Sequence, residues 1–470
     1  MKRMTSLLAI LLFSIAIFAA PAKESRIIAP AEAEKKAAAE TRTISNILYS
    51  LGNLYSYIDT CYLYDIDQES MEEDLISAMV GSLGDQYSMY IPNDETESYV
   101  EGTNGKYVGI GVLLSKYNPS MIDPEDPRTY MAIIETVYKG GPAEKAGIRP
   151  NDMISAINGE SVYHNTSYEV SRKLRGEKGV SVTLTVLRGD SSFEITLAPD
   201  EVRVPSTSEA MLDDGIGYIY ISSFSLTTSD DFREKAEKLL SEGMEKLIID
   251  LRNNGGGTVD SAYSIADYLM SDGIITSIRF KEGSSFPDQV IKVSENTIIP
   301  ESMPVVLLVN EGTASSSEIL TAALKENSRA IAVGSRTFGK GIIQSSIPFR
   351  NGIVQLTIGH YYTPDGNDIH KKGIEPDIVI ESREYSSEDM KAYEEFMKTD
   401  ALREFRLSHP EFTQENLEAF REMHKSSGVP GDLLIILMRN EYIYEMDADE
   451  RPIADSVNDE VLRKAMEILR

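Results

Sequence analysis

The spacing of apolar positions changes character along the chain. Between residues 44 and 64, Ile47, Leu48, Leu51, Leu54, Tyr55 and Ile58 recur at helical spacing, and residues 71–83 predict a second helix. From Gly215 on, short apolar runs alternate with helical stretches: strands are predicted at 217–221, 246–251 and 304–309, and helices at 230–240, from about 260, and at 315–325. Strand and helix in alternation argue for a βαβ core with right-handed crossovers. Past residue 384 the helical pattern returns through Phe396, Leu402 and Phe405, then Leu417 and Phe420, then 433–438 and 461–469. These patterns predict an α/β, multidomain chain with helical regions at both ends.

One strand-to-helix passage concentrates the chemistry. Residues 304–309 form an apolar run of the kind a strand buried on both faces shows, 310–314 supply turn residues, and Ser315 opens the following helix. A serine at that junction is held on a sharp turn, beside unpaired helix N–H groups that favour developing negative charge. Its hydroxyl needs a base. No histidine lies in the stretch, but Lys340 follows between Gly339 and Gly341. A buried lysine loses proton affinity and can serve as a neutral amine. Residues 342–347 look like a strand, so the even spacing from Lys340 to Gln344 places both on one face, where the amide can orient the amine.

The runs Gly312-Thr313-Ala314-Ser315-Ser316-Ser317-Glu318-Ile319 and Thr337-Phe338-Gly339-Lys340-Gly341-Ile342-Ile343-Gln344 resemble the signature of the C-terminal processing, or tail-specific, serine peptidases. The resemblance covers residues 70–380. It implies a catalytic core of the ClpP/crotonase-like type, with Ser315 as nucleophile, Lys340 as base and Gln344 as the residue that orients it. Glu318 matches a glutamate of that family and is expected to brace the site, whereas Glu326 stands where the family often has aspartate. Arg252-Asn253-Asn254-Gly255-Gly256-Gly257 is similar to the family's oxyanion segment, which implies the backbone N–H groups of Gly256 and Ser316 as oxyanion donors, with Gly257 a close competitor to Gly256. Residues 83–92, with Asp85-Gln86-Tyr87-Ser88-Met89-Tyr90, resemble the segment that precedes the PDZ domain in the same family.

Residues 105–200 look like that PDZ domain. The run 140–162 matches the family pattern except that Asn151 replaces a glycine before Asp152. Gly109, Ile110, Gly111 and Val112 fit a glycine-containing turn opening an edge strand, whose N–H groups can hold a terminal carboxylate. Val170 and Leu174 share a face of the helix expected at 167–174, so an apolar last side chain would enter between that helix and Ile110 or Val112. Some of these positions read equally well as the core of a small β domain. Residues 115–128 are expected to be a surface loop.

Composition narrows the partners. The chain has 470 residues, 46 basic and 75 acidic, for a net charge of −29, which disfavours nucleic acid and anionic membrane surfaces. The lone Cys61 forms no internal disulfide, and the scattered histidines make no metal motif, so no cofactor and no metal are expected. Residues 1–22 carry a basic start and an apolar stretch ending in Ala20-Pro21-Ala22, a signal peptide or anchor. The protein is expected to be exported, periplasmic or extracytoplasmic, with membrane anchoring only through that segment.

The domain reading is a signal segment at 1–22, a helical region at 23–104, the PDZ domain at 105–200, the peptidase at 201–383 and a helical region at 384–470. The function expected is a serine endopeptidase that cleaves proteins presenting apolar C-terminal tails, by a Ser-Lys route through an acyl-enzyme. Alternatives are a catalytically silent PDZ adaptor, a hydrolase of small acyl substrates, and a Ser-His site using His360 or His370. The terminal helices are expected either to pack within the chain or to pair two copies into a homodimer.

Overall fold

The computed structural model describes residues 30–117, 122–294, 296–381, 383, 385–446 and 451–470. The expected signal segment lies outside the described residues, as do the first residues of the helical region expected at 23–104 and the middle of the 115–128 loop. The chain divides into two compact units, residues 1–76 and 77–470. In the first, the Pro30–Cys61 helix keeps Ile47, Leu48, Leu51 and Leu54 exposed. No helix among the described residues is long and apolar enough to cross a membrane.

The second unit is built on a six-stranded sheet in the order Thr207–Met211, Ile216–Ile221, Lys246–Asp250, Val305–Val309, Ile331–Gly334 and Ile378–Val379. Only the first pair is antiparallel. Every residue of Val305–Val309 is buried because helices cover both faces of the sheet. Val305, Leu307 and Val309 face one layer with the helices Thr228–Ser241, Val259–Leu269 and Ser316–Glu326. Val306 and Leu308 face the opposite layer, whose apolar side chains Leu462, Ala465, Met466 and Leu469 come from the last helix, Glu460–Leu469. A strand wedged between two apolar layers has no polar face, which accounts for its unbroken run.

A second, antiparallel sheet joins Met89–Ile91, Gly352–Tyr362, Ile274–Phe280 and Gln289–Lys292, and Ile342–Phe349 also pairs with Gly352–Tyr362. The small β domain has its own core around Ile134, Ile154, Leu184 and Val186. Its helix, Ser167–Arg175, starts at a capping box between Thr166 and Glu169. The chain enters and leaves this domain on paired strands, Lys106–Gly109 and Asp200–Arg203, so the domain hangs from a two-stranded stalk. After residue 386, four helices from Ser387–Phe396 to Gly431–Glu445 close over Phe396, Phe405, Phe420 and Met438.

Two segments therefore serve the main unit from outside the 201–383 range expected for it. Strand Met89–Ile91 comes from the region read as N-terminal and helical, and helix Glu460–Leu469 from the region read as C-terminal and helical. The apolar face of that last helix is buried within the chain and is not free to pair two copies.

Candidate active site

Ser315 is the last residue of the turn between strand Val305–Val309 and helix Ser316–Glu326. Its backbone has φ 57° and ψ −119°, a conformation that costs an L-residue on the order of 1–3 kcal/mol. What holds it there is largely Glu318. Fully buried, the Glu318 carboxylate accepts the N–H of Ser315 at 3.0 Å and of Lys340 at 2.8 Å on one oxygen, and the Thr337 hydroxyl at 2.6 Å and the Gly339 N–H at 2.8 Å on the other. One side chain thus ties the serine turn to the lysine loop. Burial raises its pKa, and the four donors oppose that rise. The Tyr361 hydroxyl adds a second tie by donating to the carbonyls of Ser315 and Lys340.

Ser315, Lys340 and Gln344 line one cleft of about 680 Å³, together with Gly256, Gly257 and Tyr361. Lys340 is partly buried, and desolvation lowers its pKa while the charges of Asp85 and Glu318 pull it back up. Its Nζ stands 4.9 Å from the centre of the Tyr87 ring, over the face. No hydrogen bond among the described residues joins Ser315 Oγ to Lys340 Nζ or Lys340 to Gln344. The Gln344 amide instead donates to Thr357 Oγ1 at 3.4 Å. The even-spacing argument for Lys340 and Gln344 needs correcting. The strand starts only at Ile342, so Lys340 precedes it and the two share the cleft without being strand neighbours.

The oxyanion segment also differs from expectation. Gly256 has φ 96°, and a Cβ there would come within 2.6 Å of the Ser315 Cβ, so only glycine lets this backbone approach the serine. Its N–H, however, donates to Asn254 Oδ1 at 2.9 Å and is taken. The N–H of Gly257, the competitor, has no partner among the described residues, and Gly257 is exposed. Ser316, whose N–H opens its helix without an intrahelical acceptor, fastens the two segments by donating its hydroxyl to the Gly257 carbonyl at 2.8 Å. His360 and His370 stack edge to face, 5.5 Å apart, and neither lines this cleft. Glu326 accepts from Asp365 and Asn367 and braces a turn.

A second cleft of about 580 Å³ lies at the small β domain. Of the side chains expected there, only Val112 lines it; Ile110, Val170 and Leu174 are buried in the domain core. The helix presents Ser167, Ser171 and Arg175 to the cleft instead, one helical step away from Val170 and Leu174, and the strand adds Leu113 and Leu114. The face is therefore apolar on the strand side and polar on the helix side. Gly109 ends the strand Lys106–Gly109, and Gly111 sits in the turn that follows, with φ 84°. The Tyr107 ring packs on Gly109, and its hydroxyl faces the backbone N–H groups of Gly111 and Val112. Burial pushes that phenol up to about 12. Arg175 lies over the same ring and pairs with Glu101 of helix Asn93–Asn104, so that helix borders both clefts through Ser98 and Gly102.

Sequence reasoning missed the tyrosines Tyr87, Tyr107 and Tyr361. An aromatic residue carries no motif of its own chemistry, and nothing in the spacing marks which tyrosine of a segment faces the site.

Comparison with known proteins places these features in context. Residues 215–380 match the model of peptidase family S41, and residues 133–188 match a PDZ domain. A protein described as a probable CtpA-like serine protease from Staphylococcus aureus (strain COL) is 34% identical over 348 residues, which span 74% of this chain and 67% of that protein. Its counterpart in Staphylococcus haemolyticus (strain JCSC1435) is 34% identical over 350 residues, with 74% and 67% covered. Among solved structures, the photosystem II D1 C-terminal processing protease is 28% identical, with 70% of this chain and 85% of that one covered and a TM-score of 0.40.

Proposed function

Since the chain belongs to peptidase family S41 and is a serine peptidase with a PDZ domain, we propose that it is an exported C-terminal processing endopeptidase working by a Ser-Lys mechanism. Ser315 Oγ attacks the scissile carbonyl carbon as neutral Lys340 Nζ takes its proton. The carbonyl oxygen becomes an oxyanion facing the N–H groups of Gly257 and Ser316. On collapse the C–N bond breaks, the lysine ammonium protonates the leaving amine, and an ester to Ser315 remains. Water then attacks the ester while Lys340 again accepts the proton, and the acid and free serine are restored. Gln344 contributes an uncharged hydrogen-bonding group to the same cleft.

The observation that carries this reading is the Glu318 clamp, which fixes the serine turn and the lysine loop to one buried carboxylate beside a single cleft. Free C-termini are the proposed targets because the strand side of the PDZ cleft is apolar and the turn N–H groups of Gly111 and Val112 face the Tyr107 hydroxyl, which a terminal carboxylate would displace. The basic-then-apolar start of the chain supports export. The exposed apolar positions of the Pro30–Cys61 helix support pairing of two copies there.

Two variants test the mechanism. Ser315→Ala should lose cleavage by several orders of magnitude, roughly 10³-fold or more, together with labelling by a fluorophosphonate. Lys340→Arg should be inactive although it keeps the charge, because guanidinium does not deprotonate in the working range. Activity in either variant, or loss of activity only on replacing His360 or His370, overturns the assignment.

A further inference from the structure

The segment ahead of the PDZ domain, Asp85-Gln86-Tyr87-Ser88, plays no part in the mechanism above, yet it is stitched to the strands around the active site. Strand Met89–Ile91 pairs with Gly352–Tyr362, Met89 opposite Gln355 and Ile91 opposite Ile353. The partner strand is the one that pairs with Ile342–Phe349, which carries Gln344. Ser88 Oγ donates to Asp85 Oδ2 at 2.6 Å and accepts the Thr357 N–H at 3.0 Å, while Asp85 Oδ1 accepts the Tyr87 N–H at 3.1 Å. Thr357 is also the residue whose hydroxyl meets Gln344. Tyr87 is thereby held with its ring face toward Lys340 Nζ, 4.9 Å away, where the negative face of the ring attracts the ammonium.

We propose that Tyr87 is a positioning residue for the lysine base: its ring, with the Asp85 carboxylate beside it, holds the Lys340 ammonium so that the amine returns to one place after each proton transfer. The inference rests on the Ser-Lys reading and adds the means by which the lysine is held. It also explains why a segment separated from the peptidase sequence by a whole inserted domain is built into this sheet.

The ring and the carboxylate both favour the ammonium over the amine, and so oppose the burial that favours the amine. The other groups in play are the Glu318 carboxylate, which also favours the ammonium, and His370, which lies against Gly341 and Asp85 with Asp368 and Lys371 beside it. Removing the ring face destabilises the ammonium, so the amine persists to lower pH.

The test is the pH dependence of kcat/KM on a short peptide reporter, measured for the full chain and its variants. Tyr87→Leu should move the acidic limb down by about half a pH unit and lower the plateau rate, since one cation–ring contact is lost. Asp85→Asn should move it in the same direction. Tyr87→Phe keeps the face and should restore the wild-type limb. Tyr87→Trp offers a stronger face and should move the limb up, which keeps the test decisive if the leucine variant fails to fold. An unmoved limb in Tyr87→Trp and in Asp85→Asn, or a phenylalanine variant that behaves like leucine, overturns the proposal. If Lys340→Arg were active, the Ser-Lys reading itself would fall; if Lys340→Arg is inactive and the limb still does not move, only the role of Tyr87 falls.

Discussion

Glu318 sets the geometry at the scale of single residues. Its two oxygens accept four donors from both halves of the site, so replacing one oxygen with an amide NH2 leaves donors facing a donor. Glu318→Gln should therefore cost about 1–3 kcal/mol for each pair of groups left unmatched, read as a lower denaturation midpoint with an unchanged m-value. Burial raises the Glu318 pKa, so the folded state holds this proton more tightly than the unfolded chain does. The stability it contributes is complete below the unfolded value of about 4.3 and is lost as pH rises through the folded value. The wild-type advantage over Glu318→Gln should accordingly widen as pH falls from neutrality through the raised folded value toward the unfolded one. An advantage that shrank over that range would contradict the assignment. Ser315 and Lys340 were legible because glycine and small residues surround each in a dense motif. The partner of Gln344 was not, because Thr357 comes from the neighbouring strand, where the extra residue Ile358 sets which side chain stands opposite Gln344 and leaves no mark in the sequence.

At the scale of elements, the last helix covers the face of the main sheet opposite the helix that follows Ser315. Its first turn carries Asp459, which accepts the Leu462 N–H as a helix cap and pairs with Arg252. Arg252 also grips Asp250 at the end of strand Lys246–Asp250, and Asp250 accepts the Tyr218 hydroxyl. Arg252 directly precedes the 253–257 loop. Asp459→Asn keeps the cap and removes the charge, so it should cost roughly 1–3 kcal/mol through Arg252 alone, measured by chemical denaturation. A variant as stable as wild type would show that the pair contributes nothing. The strands of the main sheet were readable because burial on both faces leaves an unmistakable apolar run. The stripe of Leu462, Ala465, Met466 and Leu469 announces a helix with a covered face, but nothing in its spacing names what covers it. Pairing of two copies therefore stayed open for this helix until the sheet beneath it was seen. The same ambiguity held in the PDZ helix, where Val170 and Leu174 mark the buried side and Ser171 and Arg175 the side toward the cleft.

At the scale of the molecule, two clefts lie on either side of helix Asn93–Asn104, one with the serine and lysine and the other at the PDZ strand. A chain end held in the second places more of the same substrate near the first, which raises its effective concentration at Ser315. Domain insertion was readable from motif order, whereas the shared helix was not, because contacts between Glu101 and Arg175 join residues far apart in sequence. The most direct test of the whole account is the cleavage rate of two substrates that are identical except that one ends in a free apolar residue and the other in its amide. The account predicts that the wild-type enzyme cuts the free end faster, by roughly tenfold or more, that Val112→Asp erases the difference while Ser315 still reacts with fluorophosphonate, and that Ser315→Ala cuts neither. Equal rates on the two substrates by the wild-type enzyme, or cleavage by Ser315→Ala, would contradict it.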